Sequence, residues 1–446
     1  MEKLFGTDGV RGIAGQFPLD YTSVYVLGQT LINLLQQQRL PPQVIIGRDT
    51  RESGAWLEQA LVQGITEGQG QAFLAGIIPT SAISFLTKKY SFSAGVVISA
   101  SHNPYQDNGI KIFSSQGIKI SESWENKLER SIREKSKSVM EKKANLSPSV
   151  SFGDDYLKFL KSRFQVPFSP PKIKIVLDCS NGASSFFAPK VFKDLGFEVI
   201  TLACTPNGKN INDGCGSLYP QNLAQAVVEN KADIGIAYDG DADRAIWVDE
   251  KGRILNGDHT LFVLAKFMKE SNRLKSSYIV ATTMSNLGLE KALESLGLKL
   301  QRAQVGDKYV LEEMIKLGTN LGGEQSGHTI FLDDCMTGDG ILTSLKMLEV
   351  MSFQKVSLSE LIQDFEEYPQ ILLNVRVSRK EDFSRLPEIK QAVDEVTKSL
   401  KDSGRFHLRY SGTEPVARIM IEGKDQKQIE LLAQRLADLV NKHLGE

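Results

Sequence analysis

Short apolar runs alternate with stretches of helical spacing along most of the chain. Residues 43–47, 70–75 and 94–98 read as strands, and residues 55–67 and 81–90 as the helices between them. A polar region follows. It ends in Ser147-Pro148-Ser149 and a proline-rich stretch at 167–171, with a helix between them. Residues 172–178 open a second alternating unit, which holds apolar runs at 234–237 and 245–248. A third begins near Asn256 and contains strands at 278–283 and 329–332. After Tyr368-Pro369 the pattern becomes strand 371–377, a helix, strands near 405–411 and 417–422, and a helix over 426–444. The order predicts an α/β protein of three similar mixed α/β domains (1–153, 154–253 and 254–368) plus a smaller C-terminal α+β domain (369–446). The first three are alike in pattern without a visible sequence repeat.

Bulk properties narrow the function without fixing it. The chain has 446 residues, enough for several domains with sizeable cores, and 41% hydrophobic and 24% charged residues, ordinary globular values. The net charge of −1 offers no electrostatic footprint for nucleic acid. The locally basic run at 133–143 is interleaved with Glu134 and Glu141 and reads as a solvated helix. Cys179, Cys204, Cys215 and Cys335 show no C-x-x-C spacing, so reduced thiols are expected rather than zinc ligands. No apolar run reaches membrane-spanning length, and the start MEKLFGTDG turns glycine-rich and acidic too early for a signal peptide; a cytoplasmic location is expected.

The chemistry concentrates in four loops. In residues 97–113, VISASHNPYQDNGIKIF, an apolar strand stops abruptly in small hydroxyl residues with a proline at the exit. Ser101 has His102 beside it and Lys111 a short loop later, a credible nucleophile or phosphate carrier in a cationic setting. Taken alone, such a pair is more often an ordinary turn. The second loop places Asp239, Asp241 and Asp243 at alternate positions before Arg244, between two apolar runs. Three close carboxylates repel one another unless a cation neutralises them, and an oxygen cage of this kind suits one Mg²⁺. An EF-hand is rejected: Glu250 falls at its twelfth position, but Arg244 stands where that loop needs glycine, and the flanks read as strands.

The third loop, Gly322-Gly323-Glu324-Gln325-Ser326-Gly327-His328, brings a carboxylate, an amide, a hydroxyl and an imidazole together among glycines, a set that can hydrogen-bond sugar hydroxyls. Its bland alternative is a glycine-rich turn with a structural histidine. The fourth, Arg409-Tyr410-Ser411-Gly412-Thr413-Glu414-Pro415 with Arg418 behind it, suits a phosphate through guanidinium forks and turn amides; either arginine alone would read as solvated.

The ordered set resembles the α-D-phosphohexomutase superfamily. The resemblance runs over essentially the whole chain and includes Phe5-Gly6-Thr7-Asp8-Gly9-Val10-Arg11-Gly12, Val305-Gly306-Asp307-Lys308-Tyr309 and Thr337-Gly338-Asp339-Gly340. One departure is Lys308, where the family often has arginine and its planar fork. The resemblance implies an isomerase with its domains around a central cleft. It implies a phosphorylated Ser101 that joins the three aspartates on Mg²⁺, and a bisphosphorylated sugar as intermediate and activator. Arg11, His102, Lys111 and Arg244 match positions near the transferring phosphate. Glu324, Ser326, His328 and Lys308, with Arg409, Ser411, Gly412, Thr413 and Arg418, match positions that bind substrate. The implied substrate is a hexosamine phosphate, glucosamine 6-phosphate going to glucosamine 1-phosphate for UDP-N-acetylglucosamine and peptidoglycan precursors. No nucleic-acid or membrane partner is implied, and a homodimer stays open. Two alternatives remain at this point: a sister mutase acting on mannose or glucose phosphates, and a non-catalytic sugar-phosphate binding protein.

Overall fold

Three times along the chain a helix leads into a strand, then a polar loop, then a second strand folded back antiparallel to the first. The helices are Thr80–Lys89, Gln221–Asn230 and Asp307–Leu317. The strand pairs are Ala94–Ile98 with Asp107–Ser114, Ile234–Tyr238 with Ala245–Asp249, and Leu321–Gly323 with Thr329–Phe331. The loops between them carry Ser101, the three aspartates and Glu324. The computed structural model describes residues 3–134, 139–142, 151–166, 172–411 and 415–445. The Ser147-Pro148-Ser149 and 167–171 stretches therefore lie outside the described residues. So do residues 135–138 and 143 of the basic run; the helix expected there, Glu122–Arg133, ends where that run begins.

The chain divides into two compact units, Met1–Met284 with Gly297–Gln363, and Ser285–Leu296 with Asp364–Glu446. The first holds three mixed sheets. Sheet one runs Phe5–Gly6, Gly9–Ile13, Asp107–Ser114, Ala94–Ile98, Gln43–Arg48, Gln71–Ile77, with the last three strands parallel. Sheet two runs Ile254–Leu255, Ala245–Asp249, Ile234–Tyr238, Lys174–Asp178, Glu198–Leu202, and sheet three Lys299–Ala303, Tyr278–Thr282, Leu321–Gly323, Thr329–Phe331. Ala94–Ile98, Ile234–Tyr238 and Ala245–Asp249 are buried at every position, which is why their sequences are continuous apolar runs rather than alternating ones. Tyr238 lies opposite Ala245 in a hairpin, so strands and not helices flank the aspartate loop.

Lys111 needs a correction. It sits mid-strand in Asp107–Ser114, opposite Val97, and is 1% exposed. The N-terminal glycine motif likewise forms strands, Phe5–Gly6 and Gly9–Ile13, with no assignment from the apolar pattern. A Cβ on Gly9, whose φ is +81°, would meet Ile110 O at 2.2 Å, so the hairpin can lie this close only as glycine.

The second unit is an antiparallel sheet, Gln370–Arg376, Val416–Gly423, Gly404–Tyr410, covered by helices Pro387–Leu400 and Gln426–Leu444 over a core that includes Ile419, Ile421, Ile429 and Leu436. Helix Leu287–Ser295 belongs to it: Asn286 caps that helix and also exchanges two 2.9 Å hydrogen bonds with the Tyr368 backbone. Among the described residues no helix is long and apolar enough to cross a membrane.

One buried histidine sets an acid limit on the first unit. His259, in the first turn of helix Gly257–Glu270, donates from Nδ1 to Asn256 Oδ1 at 3.0 Å. Burial, then Arg253, pushes its pKa down to about 4. Because the folded ring resists a proton that the unfolded one takes, its contribution is complete above the unfolded value of ~6.5 and is lost as pH falls toward 4, on the order of 3 kcal/mol in all. His259→Gln is expected to lose less stability than the parent between pH 7 and 4.5 in denaturant titrations; equal losses would show that the ring does not set this limit.

Candidate active site

Ser101 sits on a built pedestal. Its φ is +53°, a left-handed turn that a non-glycine residue adopts only when its surroundings impose it. The fully buried Arg51 imposes it, donating from Nη2 to Ser101 O at 3.0 Å and to Asn103 O at 2.7 Å. Asn212 Nδ2 donates to the same two carbonyls at 2.9 Å each. Arg51 Nε lies 3.1 Å from Asp49 Oδ2, which accepts Ser99 Oγ at 2.6 Å; Ser99 Oγ in turn accepts Ser101 N at 3.0 Å. The result aims Ser101 Oγ at Asp239, to which it donates at 2.5 Å, with His102 Nδ1 3.3 Å away.

The aspartate loop meets it directly. The carboxylates of Asp239, Asp241 and Asp243 are buried and offer oxygens within 4.8 Å of one another. A Cβ on Gly240 would lie 2.5 Å from Ser101 O, so that glycine permits the contact. Lys111 Nζ approaches Asp241 at 2.8 Å, Asp243 at 3.2 Å and Asp8 at 2.9 Å. Thr80 fixes Asp241 from the other side, through Oγ1 to Oδ2 at 2.5 Å and through N to the carbonyl at 3.0 Å. Burial, then Asp243 and Asp241, raises the Asp239 pKa well above the usual carboxylate range. For Asp243 burial acts the same way, but Lys111, His328 and Arg244 outweigh it and hold the pKa well below that range. Lys111 stays charged: its three carboxylates overcome its burial.

These residues fit a divalent cation. Asp241 Oδ1 and Asp243 Oδ1 are buried and accept no hydrogen bond, a costly arrangement that a hard cation would relieve. All the donors are oxygens, as Mg²⁺ requires.

The third loop is stitched to the second. Ala245 N donates to Gly327 O at 3.2 Å, Arg244 and His328 form a β-bridge, and Gly340 N donates to Ala242 O at 2.9 Å. The Gly338 amide donates to His328 Nε2 at 2.9 Å, so that nitrogen is a bare acceptor and the ring proton sits on Nδ1, 3.7 Å from Asp243 Oδ1. Burial opposes a second proton and Asp243 and Asp307 favour one, but it would have to face the Gly338 N–H. Glu324 is oriented by Gly306 N at 3.1 Å and Ser326 Oγ at 3.3 Å.

A cavity of about 400 Å³ opens onto this assembly. Its wall includes Arg11, His102, Arg244, Glu324 and His328. Arg11 is held by Asp8 at 2.5 Å and Asn103 at 3.2 Å; Arg244 Nη1 lies 3.2 Å from His102 Nδ1. Burial, then Arg244 and Arg11, pushes His102 down to about 4. Two guanidiniums beside a serine and a carboxylate cage can seat a phosphate and move it.

Not every expected residue joins. Lys308 is absent from this wall and lines a separate cavity with Trp124 and Leu311. Ser326 is exposed and reaches the site through Glu324. Arg409, Ser411 and Arg418 lie in the second unit, where Arg409 is the cross-strand partner of Arg418 and Lys380 Nζ donates to Ser411 O at 2.7 Å. Gly412 and Thr413 lie outside the described residues. Sequence reasoning missed Asp8, Thr80, Arg51, Asn212 and Lys119, whose Nζ joins Asp8 and Asp307 at 2.6 Å each. Only Asp8 carried a signal, its place in the N-terminal glycine motif.

Comparison with known proteins covers nearly the whole chain. Models of the phosphoglucomutase/phosphomannomutase alpha/beta/alpha domains I, II and III match residues 2–139, 154–252 and 256–368, and that of the C-terminal domain matches 372–439. A curated relative from Pelobacter propionicus, named phosphoglucosamine mutase, is 46% identical over 100% of both chains. Further relatives at 43–46% identity carry the same name. Among solved structures, a phosphoglucomutase/phosphomannomutase family protein from Burkholderia thailandensis superposes with a TM-score of 0.81 at 21% identity, covering 100% of this chain and 99% of its own. The Aspergillus fumigatus N-acetylphosphoglucosamine mutase in complex with GlcNAc-6P and magnesium gives 0.69 at 18% identity, covering 98% and 95%.

Proposed function

Because the chain belongs to the phosphoglucomutase/phosphomannomutase family, we infer that it is an isomerase that interconverts glucosamine 6-phosphate and glucosamine 1-phosphate, the reaction of a phosphoglucosamine mutase. The observation that carries the mechanism is the 2.5 Å contact between Ser101 Oγ and a buried three-carboxylate cage beside a cavity lined by Arg11 and Arg244. Ser101 carries the phosphoryl group and passes it to a sugar hydroxyl; the bisphosphorylated sugar turns over and returns its other phosphoryl group to Ser101. Asp239, Asp241, Asp243 and the phosphorylated Ser101 hold one Mg²⁺. Such an ion, when bound, neutralises charge on the transferring group. Arg11 and Arg244 orient that group, and Lys111 holds Asp241 and Asp243 in ion pairs. Glu324, with His328 nearby, reads the sugar, its carboxylate suited to an ammonium at C2. We take the four sheets as four domains with limits near 153, 253 and 368, and place the reaction in the cytoplasm, ahead of UDP-N-acetylglucosamine synthesis.

Substrate choice tests the reading. In a coupled assay kcat/KM for glucosamine 6-phosphate should exceed that for mannose 6-phosphate by roughly 100-fold or more, since a site that pairs a buried polar group rejects an analogue that leaves it unpaired. Glu324→Gln should narrow the gap. Equal or better use of mannose 6-phosphate would move the assignment to a sister mutase.

In the second unit we assign Arg409, Ser411 and Arg418, with Gly412 and Thr413, to phosphate binding. The opposed arginines support this. Arg418→Ala should weaken binding of mono- and bisphosphorylated sugars by roughly tenfold or more, the worth of one charged hydrogen bond, with Mg²⁺ binding unchanged. Unaltered calorimetric affinity for both sugars would defeat it.

A further inference from the structure

Two of the four cysteines meet where two parallel strands of the second sheet end. Asp178 closes strand Lys174–Asp178 opposite Leu202, and Cys179 N donates to Leu202 O at 3.1 Å. Cys204 follows just beyond its own strand, after Ala203 turns the chain with a φ of +43°. The two side chains interact directly. Continued one step, the register puts Cys179 opposite Ala203, one residue before Cys204; neighbouring strands stand ~4.8 Å apart, and a disulfide needs Cα atoms within about 7 Å. The thiols are unlike. Cys179 is fully buried, whereas Cys204 is partly exposed and donates to Ser185 O at 3.0 Å. Contact with Cys179 holds the Cys204 thiol down to about 7 against its burial, while contact with Cys204 and then burial push Cys179 well up. A reachable, readily ionised sulfur beside a buried protonated one pairs an attacking thiol with a resolving one.

We propose that Cys204 and Cys179 are a reversible oxidation site, in which a hydroperoxide oxidises Cys204, Cys179 closes the disulfide, and the reaction at Ser101 slows. The Cys204 thiolate attacks one peroxide oxygen. The O–O bond breaks, and the departing oxygen takes up a proton and leaves as water, with Cys204 now a sulfenic acid. The Cys179 sulfur attacks the Cys204 sulfur, the S–O bond breaks, and the hydroxyl leaves as water with the thiol proton. Two thiols and one hydrogen peroxide give one disulfide and two waters.

The effect on Ser101 follows from what the two segments hold. Thr205 N donates to Asn181 Oδ1 at 3.1 Å, and Asn181 O accepts Thr50 Oγ1 at 2.6 Å. Ala183 N donates to Gly240 O of the aspartate loop at 2.8 Å. Ser180 O accepts Asn212 N at 2.9 Å, and the Asn212 side chain holds Ser101 O. Ser180 and Asn181 have φ of +51° and +49°, so this turn has few other conformations available. Drawing Cys204 from Ser185 O onto Cys179 pulls on a turn that supports both the aspartate loop and the Ser101 pedestal.

The purified enzyme would be treated with hydrogen peroxide, alkylated and peptide-mapped, with turnover followed in parallel. The mapping is independent of the reaction; the turnover arm rests on the mutase reading. A peptide joining Cys179 to Cys204, two hydrogens lighter than the separate thiols, is expected, with a loss of turnover of about fivefold or more that dithiothreitol reverses. Cys204→Ser should keep its activity in peroxide, and Cys215→Ser should be as sensitive as the parent. No such link, a link with unchanged turnover, or a Cys204→Ser enzyme as sensitive as the parent would each overturn the proposal. Absence of turnover before oxidation would count against the mutase reading alone, since mapping decides the disulfide.

Discussion

Ser101→Ala is expected to lower turnover on the order of 10⁴-fold or more, because it removes the hydroxyl that carries the phosphoryl group. The fold should survive, since the pedestal holds the Ser101 backbone: Arg51 and Asn212 bind its carbonyl and Ser99 binds its amide. Circular dichroism and melting temperature should therefore match the parent while the coupled assay shows almost nothing. Intact-mass analysis adds a second readout, a phosphate on the parent at Ser101 that the variant lacks. Parent-like turnover in Ser101→Ala would end the phosphoserine mechanism.

The second large effect concerns the cage. Asp241→Asn keeps the size of the side chain and its bond from Thr80, but removes one charge from the cation site and one of the three carboxylates around Lys111. Turnover should fall on the order of 10²- to 10³-fold at a fixed magnesium concentration, with part of the loss recovered at higher concentration. The parent in excess chelator should lose turnover, regain it with Mg²⁺, and regain little with Ca²⁺, whose looser coordination positions a transferring group poorly. Full turnover in excess chelator would contradict the assignment.

The apolar pattern was enough for Ala94–Ile98, Ile234–Tyr238 and Ala245–Asp249, which lead into or flank two of the four chemical loops, because these strands are buried at every position and therefore continuous in sequence. Where a strand carries one buried charge the pattern fails: Lys111 interrupts Asp107–Ser114 and hides it. Lys308 fails for a different reason. It neighbours Asp307 in sequence, but both lie in the first turn of helix Asp307–Leu317, where successive side chains point roughly 100° apart, so Asp307 lines both the site cavity and the one beside it while Lys308 lines only the latter. Thr80 and Arg51 had no local signal. Their importance comes from partners far along the chain, Asp241 for one and the Ser101 and Asn103 carbonyls for the other, and one sequence does not report distant contacts.

The distances along the chain also set a timetable. Ser101 meets Asp239 across 138 residues, and Lys111 meets Asp241 across 130. Ribosomes deliver the first sheet long before the aspartates exist, so the nascent chain cannot consume sugar phosphate. Until residue 243 emerges, Lys111 has only Asp8 to answer its charge, and the early fragment lacks what makes its own interior tolerable. Activity and full stability therefore arrive together and late, and a chain cut short before the second sheet is expected to be taken by proteases rather than to persist as a folded fragment.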